Sequence, residues 1–170
     1  MMFNRIGEWA AAANAGYSPE QDRPLATYAA MTGAFVAAFG GSLWGIRLAG
    51  MELPERLALA DVVLVGLATH KLSRVIAKDK VTSFVQAPFT RYAGAAGQGE
   101  VAEEPRGEGL QRAIGELLRC PYCLAQWVAT ALVVALLATP RLTRLVASVY
   151  AAQTLSDFMQ LVYLVAKESV

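Results

Sequence analysis

The chain has 170 residues, 55% of them hydrophobic, with a mean hydropathy of +0.38 and a formal net charge of +1. That apolar share exceeds what a soluble domain of this size carries, and the near-neutral balance lacks the clustered positive surplus that phosphate binding needs, so nucleic acid is excluded as a partner. Two cysteines, Cys120 and Cys123, are too few and too close to form a disulfide framework.

Residues 1–23 read as an N-terminal interfacial segment, in which 1–17 place Phe3, Ile6, Trp9 or Ala10, and Ala13 at helical spacing, which predicts a short amphipathic helix lying in a membrane interface. Asn4, Arg5, Glu8 and Asn14 break any apolar core there, so the segment does not read as a cleavable secretory signal. Residues 24–170 read as a transmembrane helical domain. Its first span covers about 25–46, 22 residues without a charge, where about 20 suffice to cross a bilayer. Ala29, Gly33, Ala37, Gly41 and Gly45 recur along it at four-residue steps, and small residues at that spacing let helix backbones approach closely in lipid. One face of this helix must therefore meet protein. Packing against the chain's other spans is the first reading, and self-association through Gly41-x-x-x-Gly45 is the second.

A second span at about 57–77 carries Asp61, His70, Lys71 and Arg74, the last two able to extend their stems to the headgroups. The loop 78–119 follows. Arg74, Lys78, Asp79 and Lys80 form a charged collar suited to anionic headgroups, and Pro88-Phe89 offers an aromatic at the same level, to be joined by Trp127. Residues 93–108, rich in Gly, Ala and Glu, predict a mobile loop; Leu110, Ile114, Leu117 and Leu118 then predict an amphipathic helix. Spans three and four, about 120–140 and 142–166, flank a tight turn at Pro140-Arg141, and the fourth carries Arg144 and Asp157.

The expected fold is thus all-α: an integral membrane protein of about four transmembrane helices with interfacial amphipathic helices. A soluble bundle would alternate apolar and charged faces, and spans one and three do not. With the chain starting inside, eleven Lys and Arg fall on the cytoplasmic side against four outside. That places both termini and the central loop in the cytoplasm.

Two features bear on chemistry. Cys120-Pro-Tyr-Cys123 opens a helix, where the dipole favours thiolate; structural, metal-binding and redox roles all remain open. The tetrapeptide has the wording of glutaredoxin active sites, but those follow a strand in a soluble α/β fold. Asp61, His70, Gln126 and Asp157 form a second, intramembrane set. Counting ~1.5 Å per residue puts His70 and Asp157 at similar depth, so that Asp157 meets His70 or Arg74 in a structural pair or a proton path. No catalytic triad and no phosphate-binding glycine loop is present, and no cofactor is expected.

Leu72-Ser73-Arg74-Val75-Ile76, Asp79-Lys80-Val81-Thr82-Ser83, Ala87-Pro88-Phe89, Ile114-Gly115-Glu116-Leu117-Leu118, Cys120-x-x-Cys123 and Trp127 together resemble the YjcA-like family of bacterial proteins over roughly 61–166. That family is a domain of unknown function with a sporulation-associated member. The resemblance implies a bacterial cell-membrane protein with its cysteine pair at a helix start, and no activity. The expected function is a non-enzymatic scaffold or assembly partner, in contact with the bilayer and with a second copy or another protein. The alternatives are a channel or holin-like pore and a membrane thiol-redox or metal-binding protein.

Overall fold

A computed structural model describes residues 23–168 together with Ala12, Gly16 and Tyr17; the interfacial helix expected over 1–23 otherwise lies outside the described residues. The chain is mostly helical, as its sequence indicates. Helix α1 runs Leu25–Leu48 and α2 runs Leu59–Lys78. A 3-10 turn (Lys80–Thr82) and a single turn, α3 (Ser83–Gln86), lead into strands β1 (Thr90–Ala95) and β2 (Val101–Pro105). Helices α4 (Gly109–Leu118), α5 (Pro121–Ala138) and α6 (Pro140–Glu168) complete the described chain.

Helices α2, α5 and α6 pack around a cluster of Val65, Ala68, Leu132, Leu136 and Ala147. What they bury is small or polar. Ala68 and Ala147 are fully enclosed, and Asp61, Thr69, Ser73, Thr143 and Thr154 are buried beside them. The Thr154 hydroxyl lies 2.8 Å from the Leu67 carbonyl and 3.1 Å from that of Tyr150. The large apolar side chains point outward instead: Val62 and Val63 on α2, and Leu145, Val149, Leu155, Met159 and Val162 on α6, are all exposed. A water-soluble bundle has the opposite arrangement, because burial of bulky apolar groups is what drives its folding.

Two helices, α1 and α5, are long and apolar enough to cross a membrane, where the sequence leads one to expect four. The difference has a simple cause. Helix α2 includes Asp61, His70, Lys71 and Arg74, and α6 includes Arg141, Arg144 and Asp157, which lower the apolar character of each below that of an ordinary span.

The central segment departs further from the expected helices and mobile loop. Strands β1 and β2 form an antiparallel hairpin with an irregularity between Tyr92 and Gly94. The turn at its tip uses Gly99 at φ 81°, a left-handed conformation that glycine adopts without penalty. The tip is tied to the end of α2 by the Asp79–Glu100 bridge and by Lys80 N–H donating to the Gly99 carbonyl at 2.9 Å. At the base, Arg106 N–H donates to the Phe89 carbonyl at 2.9 Å. Helix α4 crosses so closely above that carbonyl that a Cβ on Gly115 would lie 2.5 Å from the Phe89 oxygen. Gly and Glu content, read as mobility, here serves a turn and its ion pairs.

Candidate functional site

The residues singled out in the sequence fall into separate places. Asp61, in the first turn of α2, receives both guanidinium arms of Arg144 from α6, Nε at 2.7 Å and Nη2 at 2.8 Å. Nine residues on, at the other end of the same interface, α2, α6 and the hairpin tip enclose a cleft of about 530 Å³. His70 and Asp157 both line it, but they do not pair. Lys71 Nζ donates to Asp157 Oδ2 at 2.7 Å, while the His70 ring stacks on Phe158 with centroids 5.7 Å apart. Arg74 pairs with Glu100 of the hairpin instead of Asp157. The proposed intramembrane set is therefore not one cluster: Asp61 is locked at one end, and Gln126 belongs to another cavity. Lys71 and Glu100 are the partners that sequence reasoning missed. In the sequence, the long stem of Lys71 points to the headgroups and the glycine-rich surroundings of Glu100 to a mobile loop.

The collar residues are held by local geometry. Asp79 ends α2 and its carboxylate accepts from Val81 N–H at 3.4 Å. Thr82 donates its hydroxyl to the Val75 carbonyl, and Gln86, wholly buried, donates Nε2 to the Ile76 carbonyl at 2.8 Å. The second bond satisfies a carbonyl that the last turn of a helix leaves free, since Lys80 N–H turns away to Gly99, whereas the Val75 carbonyl also accepts from Asp79 N–H at 3.4 Å. The Pro88 carbonyl accepts from Arg106 Nε at 3.2 Å and Gln111 Nε2 at 2.9 Å, fixing the Pro88-Phe89 turn against β2 and α4. Lys80 remains exposed.

Cys120 and Cys123 are joined by a disulfide, with Cα atoms 5.2 Å apart. The sequence alone leaves structural, metal-binding and redox roles open for this pair. Cys120 is the N-cap of α5, where its sulfur accepts Cys123 N–H at 3.2 Å, and Pro121 follows at the first helical position. Cys123 faces a cavity of about 510 Å³ between α1, α4 and α5. One wall is apolar, with Trp127 edge-on to Phe35 at 5.0 Å and Met31 beside them. The opposite end is polar: Glu116 accepts from the Tyr28 hydroxyl and from Arg112 Nε at 3.2 Å, with Arg23 Nη1 at 4.0 Å. Trp127 thus joins two apolar helices beside the cysteine pair. Among the described residues no three His, Cys, Asp or Glu side chains converge as metal ligands.

The small-residue ladder is open. Ala29, Gly33, Ala37, Gly41 and Gly45 are all exposed, and a Cβ added at Gly33, Gly41 or Gly45 would meet nothing within 4 Å among the described residues. Helix α1 instead turns Tyr28, Met31 and Phe35 toward α4 and α5. Packing against the other helices of the same chain, the first reading of this stripe, is not what the fold does with it.

A helical bundle with small and polar residues inside, capped by a hairpin and an amphipathic helix, is the class of protein this fold defines. Residues 64–163, more than half of the chain, match the family described as protein of unknown function (DUF1360), and the chain belongs to that family. The match starts within α2 and ends within α6, so it takes in both ends of the Lys71–Asp157 pair, the hairpin and the cysteine pair. No curated protein and no solved structure matches the chain.

Proposed function

We propose that this chain is a multi-pass integral protein of a bacterial membrane, crossing with α1, α2, α5 and α6, and that it works as an assembly partner through the open face of α1. The observation that carries the reading is the reversed packing of α2 and α6, with Asp, Thr, Ser and Ala inside and Val, Leu and Met outside. In lipid, small residues and hydrogen bonds hold helices together, while bulky apolar groups face the acyl chains. Four of the charges that disqualify α2 and α6 as simple spans are paired with each other, Asp61 with Arg144 and Lys71 with Asp157, and Arg74 is paired with Glu100 of the hairpin. Pairing of this kind is what an ionisable group inside a membrane requires. The Lys and Arg count supports both termini and the hairpin platform on the cytoplasmic side. The shared motifs support placing the protein with the YjcA-like proteins.

The assembly surface in this reading is the exposed ladder of α1, and its occupant is the same helix of a second copy, met through Gly41-x-x-x-Gly45. Two measurements test the proposal. Carbonate washing should leave the protein in the membrane pellet, and cysteine introduced at Ala37 should cross-link between copies in native membranes. Release into the wash would refute the membrane reading, and uncross-linked monomer throughout would refute the assembly role.

The cleft at His70, Lys71 and Asp157 favours one second reading, an ion-conducting protein. Liposomes containing the purified protein would then show a flux that Asp157→Asn abolishes; liposomes without flux at any pH would exclude it.

A further inference from the structure

A disulfide on the cytoplasmic face of a membrane protein is not expected to be a static staple, because the thiol pools there keep cysteines reduced; such pairs are transient and catalytic or redox-sensing. The orientation proposed above puts Cys120–Cys123 on that face. The surroundings of the pair then matter more than the bond itself. Cys120 caps α5, so a thiolate left there on reduction lies at the positive end of the helix and beside the Cys123 N–H. Cys123 is exposed to the 510 Å³ cavity, a volume within the range of small-molecule sites.

The cavity has two properties at once. Two of its three walls come from α1 and α5, the helices apolar enough to cross a membrane, and the third from α4, so a ligand soluble in lipid has an approach between α1 and α5. Its lining changes along its length from the Phe35–Trp127 ring pair to the Tyr28–Glu116–Arg23 end. Rings arranged edge to face bind a flat conjugated head, and amide and guanidinium groups donate to carbonyl oxygens at its rim. Oxidising two thiols to a disulfide releases two electrons and two protons, and the acceptor must take both.

We propose that Cys120 and Cys123 are a redox pair and that the cavity beside them seats the head of a lipid-soluble quinone as their electron acceptor. The inference rests on the membrane reading above and extends it. In the first half-reaction an external dithiol attacks the Cys120–Cys123 bond; a mixed disulfide forms and is then displaced, leaving the external disulfide and two cysteine thiols. In the second, the two thiols pass two electrons and two protons to the quinone. The Cys120–Cys123 bond re-forms and a quinol leaves. Trp127 and Phe35 bind the ring, and Gln126 at the cavity's edge donates to a carbonyl oxygen.

The test uses the full chain in detergent, reduced with dithiothreitol, freed of it, and mixed with a short-chain ubiquinone. One quinone should be consumed, and two thiols lost, per chain, and Cys123→Ser should abolish both. Trp127→Leu should raise the quinone concentration giving half-maximal rate by about tenfold, the effect of losing one stacked aromatic. Its thiols should still be oxidised at the normal rate by diamide, a small soluble oxidant that needs no cavity. Should Trp127→Leu fail to fold, Gln126→Leu, at an exposed position, gives the same comparison. Thiols that diamide oxidises and quinone does not, or a quinone rate indifferent to both cavity variants, would overturn the inference. Carbonate washing of the same membranes separates the two proposals: a chain washed free refutes the membrane reading, whereas a retained chain with quinone-inert thiols refutes this inference alone.

Discussion

Arg144 grips Asp61 with both arms of its guanidinium, at 2.7 and 2.8 Å, and so fixes the register of α6 against α2 at the end of the bundle away from the hairpin. Both residues lie on helices whose outer surfaces are apolar. The Asp61 carboxylate is nearly enclosed, with its side chain 12% exposed, while that of Arg144 is 51% exposed.

That asymmetry predicts unequal mutants. Arg144→Leu strands an enclosed carboxylate, whereas Asp61→Ala leaves a guanidinium that still reaches the surface. Thermal unfolding of the detergent-solubilised protein should fall more for Arg144→Leu than for Asp61→Ala. The double variant should recover part of the loss, since no unpaired charge remains. Strictly additive effects would show that the pair is not coupled.

Gly115 gives a sharper case, because the ordinary expectation has the opposite sign. Within a helix, Gly→Ala is normally worth about 1 kcal/mol of added stability. Here the new Cβ would press on the Phe89 carbonyl at 2.5 Å and on Pro105 Cβ at 3.2 Å, neither of which is a flexible side-chain end. Gly115→Ala should therefore destabilise the platform by about 1–3 kcal/mol. Limited proteolysis should then cut within the hairpin, between residues 93 and 100, faster than in the parent protein.

Gln86 is the third test. Its side chain is wholly enclosed, and its Nε2 reaches back to the Ile76 carbonyl, joining the loop after α2 to the helix it has just left. Gln86→Leu keeps the bulk but removes the donor, leaving that carbonyl unsatisfied. A loss of about 1–3 kcal/mol in unfolding free energy is expected, with Gln86→Glu no better because a carboxylate offers no proton to donate.

These three positions also show what the sequence conceals. The spans of α1 and α5 are legible because unbroken apolar runs have one physical use, and the cysteine pair is legible because its spacing places it at a helix start. The pairing of charges is not. Asp157 meets Lys71 and not His70 because residues one apart lie about 100° apart around a helix, and counting depth along the axis says nothing of rotation about it. The hairpin is hidden for another reason: its strands are short and polar, its turn is glycine-rich, and its stability comes from Asp79, Arg74 and Phe89 outside the strands themselves. Gly115 reads in sequence only as a weak helix residue, since the carbonyl it accommodates belongs to a turn twenty-six residues earlier.

The ladder of α1 carries the last prediction. A Cβ placed at Gly41 or Gly45 meets nothing within 4 Å among the described residues, so Gly41→Ile and Gly45→Ile should leave the thermal stability of the solubilised monomer within about 0.5 kcal/mol of the parent, as surface changes do. The same substitutions would hold two α1 backbones apart by the width of a branched side chain and forfeit the close contact that drives association in lipid. Energy transfer between donor- and acceptor-labelled copies in vesicles should therefore drop steeply in either variant, with Val36→Ile, exposed on the same helix outside the ladder, unchanged. Equal transfer in all three would mean that the open stripe faces lipid alone. A fall in monomer stability would mean that α1 packs within the chain more closely than its exposed glycines indicate.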